Sequence, residues 1–190
     1  MPRRKIKFQK GYNYHIFNRG INKQKIFFEK ENYLHFIRLL KKYSKEFDIS
    51  ILAYCLMPNH FHLLTGITGE KDLSVCLSSL LNSYVKAINK SYNRKGALFS
   101  NRFKALHVDK DNYLIHLCRY IHLNPLKAKL VTDLKDWQFS NYLEFIGKRK
   151  GSLFYPIILK NFKLTHKDYE EFVNDYIQSY PEGFEKYVFS

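Results

Sequence analysis

The sequence predicts an α+β fold, a mostly antiparallel sheet with helices on one face, and three patterns carry that prediction. Tyr12 to Arg19 (Tyr-Asn-Tyr-His-Ile-Phe-Asn-Arg) is a short run rich in aromatics and closed by Gly20, the composition of a strand. Ile49 to Met57 and His60 to Thr65 are two further apolar runs separated only by Pro58-Asn59, a turn-forming pair, so they read as a hairpin. Between and after these strands the apolar period lengthens from two residues to nearly four, the mark of amphipathic helices.

Taken in order, the first strand is followed by a helix in which Tyr33, Phe36, Ile37, Leu40 and Phe47 recur at helical spacing with basic residues between them. After the hairpin, Asp72 to Tyr92 holds Leu73, Cys76, Leu77, Leu80, Leu81, Tyr84, Val85 and Ile88 on one stripe, opposite Ser78, Asn82, Lys86 and Asn89. Tyr92-Asn-Arg-Lys-Gly96 is a basic loop, and Phe103 to Val108 is a fourth strand. A short helix from Asn112 to about Leu123 should stop at Asn124-Pro125, because proline disfavours the helical conformation in the residue before it. Strand, helix, hairpin, helix, strand and helix is a ferredoxin-like order. Beyond Trp137 the chain is aromatic and basic, and Thr165-His-Lys-Asp168 has the form of a helix N-cap ahead of Phe172, Tyr176 and Ile177. At 190 residues there is material for one good core, so a main domain over 1–150 with a helical extension over 151–190 packed on it is expected.

Lysine and arginine outnumber aspartate and glutamate 32 to 17, a formal charge of +15, and this sign attracts phosphate, making nucleic acid the leading partner. No segment approaches the roughly 20 continuous apolar residues of a membrane span, and no secretory signal opens the chain, so a cytoplasmic protein without membrane contact is expected. Cys55, Cys76 and Cys118 are far apart and lie among apolar neighbours, the pattern of buried free thiols.

His60 and His62 are two apart in a strand, so both imidazoles leave one face while Phe61 and Leu63 leave the other. They can share an ion, although the pair equally fits two half-exposed polar residues on a hairpin. Two histidines are too few for a closed structural zinc site, whereas an open site of nitrogen and oxygen ligands suits magnesium or manganese. On the following helix His116, Tyr120 and Asn124 recur every four residues beside the stripe of Leu114, Leu117, Cys118 and Ile121. A phenol and an amide one turn apart could reach a common point. Read alone, Tyr120 is also compatible with packing, and Asn124 with ending the helix.

Three segments together resemble the successive signatures of REP-associated tyrosine transposases: Tyr54-Cys-Leu-Met-Pro-Asn-His-Phe-His-Leu-Leu64, then Gly96-Ala-Leu-Phe with Asn101-Arg-Phe-Lys104, then Arg119-Tyr-Ile-His-Leu-Asn-Pro125. The likeness runs from about Tyr12 to Tyr142 and extends to the single-tyrosine HUH transposases of small insertion sequences, named for their histidine–hydrophobe–histidine motif. It implies a ferredoxin-like fold over 1–150, His60 and His62 as the histidine pair, Tyr120 as nucleophile and Asn124 as the residue completing the metal site. It implies nicking and strand transfer on single-stranded DNA with hairpins, through a 5′-phosphotyrosine, with magnesium or manganese and no nucleotide cofactor. Tyr113 is the rival nucleophile, but its neighbour at i+4 is Leu117, which cannot help a metal.

Arg19, Lys86, Arg94, Lys95, Arg102 and Lys104 are the candidate phosphate contacts, Tyr84, Phe99 and Phe103 the candidate stacking rings, and the basic tail from Arg3 to Lys10 a possible grip on a hairpin. Two other readings fit the same composition: a single-stranded nucleic-acid-binding module without chemistry, and a metal-dependent nuclease in which water attacks. Relatives that exchange the tyrosine helix act as homodimers and the repeat-associated group as monomers, so either state is open.

Overall fold

The computed structural model describes residues 6–109, 111–153 and 157–179. The part of the basic tail over 1–5 lies outside them. The elements run β1 (Asn13–Arg19), α1 (Lys30–Glu46), β2 (Ile49–Met57), β3 (His60–Ile67), α2 (Leu73–Ser91), β4 (Lys104–Val108), α3 (Asp111–Lys127), α4 (Tyr142–Phe145), α5 (Ile157–Asn161) and α6 (His166–Ser179). All strand pairs are antiparallel in the order β2-β3-β1-β4, the ferredoxin-like arrangement that the element order predicts.

Strand alternation divides the sheet into two faces. Tyr14, Ile16, Tyr54, Leu56, Phe61 and Leu63 join Phe36 and Leu40 of α1 and Leu77, Leu80 and Tyr84 of α2 in one core. Tyr84 is wholly buried and donates its hydroxyl to the Ile26 carbonyl at 2.7 Å, and Phe103 is 6% exposed. Neither ring is available to a base, so the stacking roles expected for them give way to packing. The period that put Tyr84 on the apolar stripe of its helix already carried that answer.

The two helices of the ferredoxin-like core do lie on one face, and α3 adds a layer on the other. Leu64 and the β2 residues Leu52, Ala53, Cys55 and Met57 pack with Leu114, Leu117, Cys118 and Ile121 of α3 and with Tyr142, Phe145, Ile158, Tyr169 and Val173 further on. A bulge between Ile51 and Ala53 turns two consecutive residues, Leu52 and Ala53, toward this second core. All three cysteines are buried free thiols.

Helix α3 does not stop before Pro125 as the proline rule predicts; it continues to Lys127. Proline lacks the amide that would donate to the Ile121 carbonyl, and the Asn124 amide nitrogen replaces it, donating to the Ile121 and Tyr120 carbonyls at 3.1 and 2.9 Å. The helix ends past Lys127, where Lys129 takes a left-handed conformation (φ 53°) and Leu130 N–H donates to the Pro125 carbonyl. Helix α6 begins at the anticipated cap: Thr165 N–H donates to Asp168 Oδ2 at 2.7 Å and Asp168 N–H to Thr165 Oγ1 at 3.1 Å.

A buried relay fixes α3 against its surroundings. The Asn141 amide accepts from Tyr54 N–H (2.7 Å) and donates to the Leu52 carbonyl, satisfying the edge of β2. His122 of α3 joins the same Asn141 Oδ1 at 2.9 Å through Nε2 and the Tyr169 hydroxyl of α6 at 2.8 Å through Nδ1. Arg119 lies between the Phe172 and Tyr176 rings of α6, 4.0 and 4.1 Å from their centroids. Among the described residues no helix is long and apolar enough to cross a membrane.

Candidate active site

The histidine pair opens β3 immediately after the hairpin turn, and that turn is pinned from outside. The Pro58 carbonyl accepts Ile26 and Phe27 N–H, the Asn59 carbonyl accepts Gly20 N–H, and the Asn59 amide nitrogen donates to the Lys23 carbonyl. Gly20 permits this approach: a Cβ there would stand 2.1 Å from the Gln24 carbonyl oxygen. The turn is therefore rigid where it delivers His60 and His62.

Those two rings lie 5.1 Å apart by centroid. Two imidazoles sharing one ion through bonds of about 2.1 Å, roughly at right angles, would have centroids about 5 Å apart, so the spacing fits a common ion. Burial holds the His60 ring below its ordinary range, at about 4, with the Arg19 charge adding to the effect, and lowers His62 further. Both are thus neutral at physiological pH, the form that binds a metal. Asn124 stands one turn beyond Tyr120 on α3, and with its amide nitrogen committed to the helix backbone it has an oxygen to contribute. Among the described residues no cluster of three or more His, Cys, Asp or Glu side chains is arranged to hold a metal ion, so a donor set here has two imidazoles and relies on amide, phosphate or water oxygen for the rest.

Tyr120 meets His62, the inner member of the pair. Its ring centroid is 5.8 Å from that of His62 and 6.3 Å from that of His15, edge-on to both. Burial raises its phenol above the usual value and Tyr113 adds to the shift. Tyr113 itself is 39% exposed and sits seven residues earlier on the helix. Tyr120 is thus brought beside His62 and His15.

Of the basic candidates, Arg19 pairs with His60 across the β1–β3 ladder and Lys104 pairs with Phe17 across β1–β4, so both flank the histidine face and both are exposed. Arg102, also exposed, lies in the segment stitched to the end of β1 through Ser100 N–H to the Arg19 carbonyl and the Asn18 amide to the Asn101 carbonyl. Arg94 sits over the Phe28 ring at 5.4 Å in the same connection as exposed Lys95. Lys86 projects from α2, in the layer covering the opposite face, and is not brought to the histidines. Phe99 is half-buried and packs on the first core.

Three residues of the site were not singled out by sequence reasoning. His15, 1% exposed, places Nε2 3.0 Å from His62 Nδ1. Phe17, half-buried, lies 5.9 Å from the His62 ring with the Lys104 ammonium 5.8 Å above it. Alternation along β1 puts His15, Phe17 and Arg19 on one face, a signal present in the run but visible only once β1 is paired with β3. Lys127 holds its ammonium 4.6 Å from the Tyr120 ring centroid, and burial lowers it to about 8. It is two turns beyond Tyr120, a spacing with meaning only if the helix passes Pro125.

This fold and this face define the class. A family model described as IS200-like transposase matches residues 8–124, and the chain belongs to that family. A Haemophilus influenzae protein assigned provisionally as a REP-associated tyrosine transposase is 23% identical over an alignment of 112 residues that covers 54% of this chain and 64% of that relative. The chain thus spans a little under two thirds of the relative's length. The solved structure of a REP-associated tyrosine transposase bound to a REP hairpin shares the fold, with a TM-score of 0.67 at 17% identity over 82% of this chain and 91% of that one. A crystal structure of a Deinococcus radiodurans protein, also assigned provisionally as a transposase, aligns at a TM-score of 0.43 and 17% identity over 61% of this chain and 95% of its own.

Proposed function

We propose that this protein nicks and rejoins single-stranded DNA carrying hairpin-forming repeats, through a covalent 5′-phosphotyrosine at Tyr120 and with a divalent ion held by His60, His62 and Asn124. The observation that carries the reading is the contact between the Tyr120 and His62 rings at 5.8 Å, which joins a late helix to the hairpin strand. Arg19, Lys104 and Lys127 supply positive charge around that point for the backbone phosphate, and Phe17 offers a ring to an unstacked base. Arg94, Lys95 and Arg102 extend the basic track along the connection before β4, and Lys86, on α2 over the other face, is outside it.

The Tyr120 oxygen attacks the phosphorus as its proton leaves, the bond to the upstream 3′-oxygen breaks, and that oxygen takes up a proton. The downstream strand stays joined by its 5′-phosphate to Tyr120. A phenol raised by burial is a poor nucleophile, so cationic surroundings are needed to favour phenolate, and Lys127 stands on the ring itself. A bound magnesium or manganese ion would supply Lewis-acid charge at the phosphate and the departing oxygen. One phosphodiester-like bond replaces another, so a second 3′-hydroxyl reverses the step with no nucleotide cofactor. Tyr120 brings its ring to His62 within one chain, an arrangement that serves a monomer and equally a homodimer that exchanges the tyrosine helix.

Incubation of hairpin-tailed single strands with the protein and manganese tests this. A protein–DNA adduct that survives denaturation is expected, and Tyr120→Phe should remove it while leaving hairpin binding intact. Cleavage without adduct would instead establish a hydrolytic nuclease, and binding without cleavage a recognition module.

A further inference from the structure

His60 and His62 each have Nδ1 engaged by a neighbouring side chain. His60 Nδ1 lies 2.6 Å from Asn59 Oδ1. The Asn59 amide nitrogen is committed to the Lys23 carbonyl, so the oxygen that faces His60 can only accept, and His60 Nδ1 must carry the proton. His62 Nδ1 lies 3.0 Å from His15 Nε2, both rings buried and their planes within 22° of parallel, the arrangement of an in-plane N–H···N bond. Between two neutral imidazoles one nitrogen donates and the other accepts. Positive charge stands close to His62, with the Lys127 ammonium 4.6 Å from the Tyr120 ring, that ring 5.8 Å from His62, and Arg19 opposite His60 on β1; a positive environment favours a lone pair over an N–H on the remaining nitrogen. That preference puts the shared proton on His62 Nδ1 and makes His15 the acceptor.

We infer that His15 and Asn59 are positioning residues that hold His62 and His60 in the Nδ1–H tautomer, so that both present an Nε2 lone pair to one point. This rests on the metal-site reading above and deepens it. A histidine free in solution favours the proton on Nε2, which would block the same nitrogen from an ion. Partners of this sort fix ring rotation as well as tautomer, and their loss typically weakens metal binding about 10- to 100-fold.

The test has a readout that needs no metal. Nitrogen-15 NMR of the metal-free wild-type protein should show His60 and His62 both as Nδ1–H tautomers. His15→Leu, which keeps apolar bulk but cannot accept, should shift His62 toward Nε2–H and weaken Mn2+ binding, measured by titration with the metal alone, about 10- to 100-fold. His15→Gln places an amide oxygen near the lost Nε2 and should restore most of the affinity. A purely packing role for His15 would leave the tautomer unchanged in His15→Leu and rank Leu above Gln. The inference is overturned if either histidine carries its proton on Nε2 in the wild type, or if His15→Leu, shown folded by its thermal transition, binds Mn2+ as tightly as the wild type. His62→Ala is the control that separates the two claims. If its Mn2+ affinity equals that of the wild type, the metal-site reading fails, and the tautomers still decide the roles of His15 and Asn59.

Discussion

The two faces of the sheet are built from the same strands and do opposite work. On one, Phe61 and Leu63 of β3 meet the aromatic layer of α1 and α2, and water is excluded. On the other, His60 and His62, their immediate neighbours, face α3, which closes over β2 and Leu64 but leaves Phe17 half-buried and Arg19 and Lys104 exposed. The difference teaches how a small domain can hold a rigid site: one face is sealed throughout, the other only over β2 and Leu64, and the strand period of two carries the rigidity of the sealed core directly to the histidines.

The largest test of this division is to truncate neighbouring residues on opposite faces. Phe61→Ala should lower the free energy of unfolding by about 3–5 kcal/mol in urea denaturation, the usual cost of deleting a fully buried phenylalanine. His60→Ala should cost less than about 1 kcal/mol while removing adduct formation. Equal destabilisation by the two would break the comparison.

A smaller effect sharpens it, through pH. His122 is wholly buried and held to about 4 by burial, against an ordinary value of 6.5. Between those values the unfolded chain binds a proton that the folded one refuses, so stability is full above about pH 6.5, falls as pH drops toward 4 and levels below it. The slope per such group is at most about 1.4 kcal/mol per pH unit. His15 and His60, also held at about 4, add in the same direction. His122→Gln should lower overall stability and make the acid decline shallower; an unchanged slope would show that this imidazole is not kept neutral by the fold. The smallest effect belongs to the periphery. Thr165→Ala removes one half of the α6 capping box and should cost about 1 kcal/mol without altering adduct formation.

Much of the architecture was legible because it depends on local periodicity. The hairpin around Pro58-Asn59, the stripe of α2 and the Thr165–Asp168 cap all follow from neighbours in the chain. The conjunction of Tyr120 with the histidines was legible only through motif order, since 58 positions separate Tyr120 from His62. What was hidden depends on tertiary compensation. Pro125 should end a helix, and the Asn124 side chain lets it continue; that hid Lys127, which stands on the Tyr120 ring two turns away. His15 was hidden for another reason: a lone histidine in an aromatic strand has no spacing to betray it, and its partner lies 47 residues on.

The most direct measurement is mass spectrometry of the denatured protein after reaction with a hairpin-tailed single strand and manganese. A nucleotide attached through its 5′-phosphate to the peptide containing Tyr120 is expected, with none in Tyr120→Phe. Cleaved DNA with no attached nucleotide, or attachment at Tyr113, would contradict it.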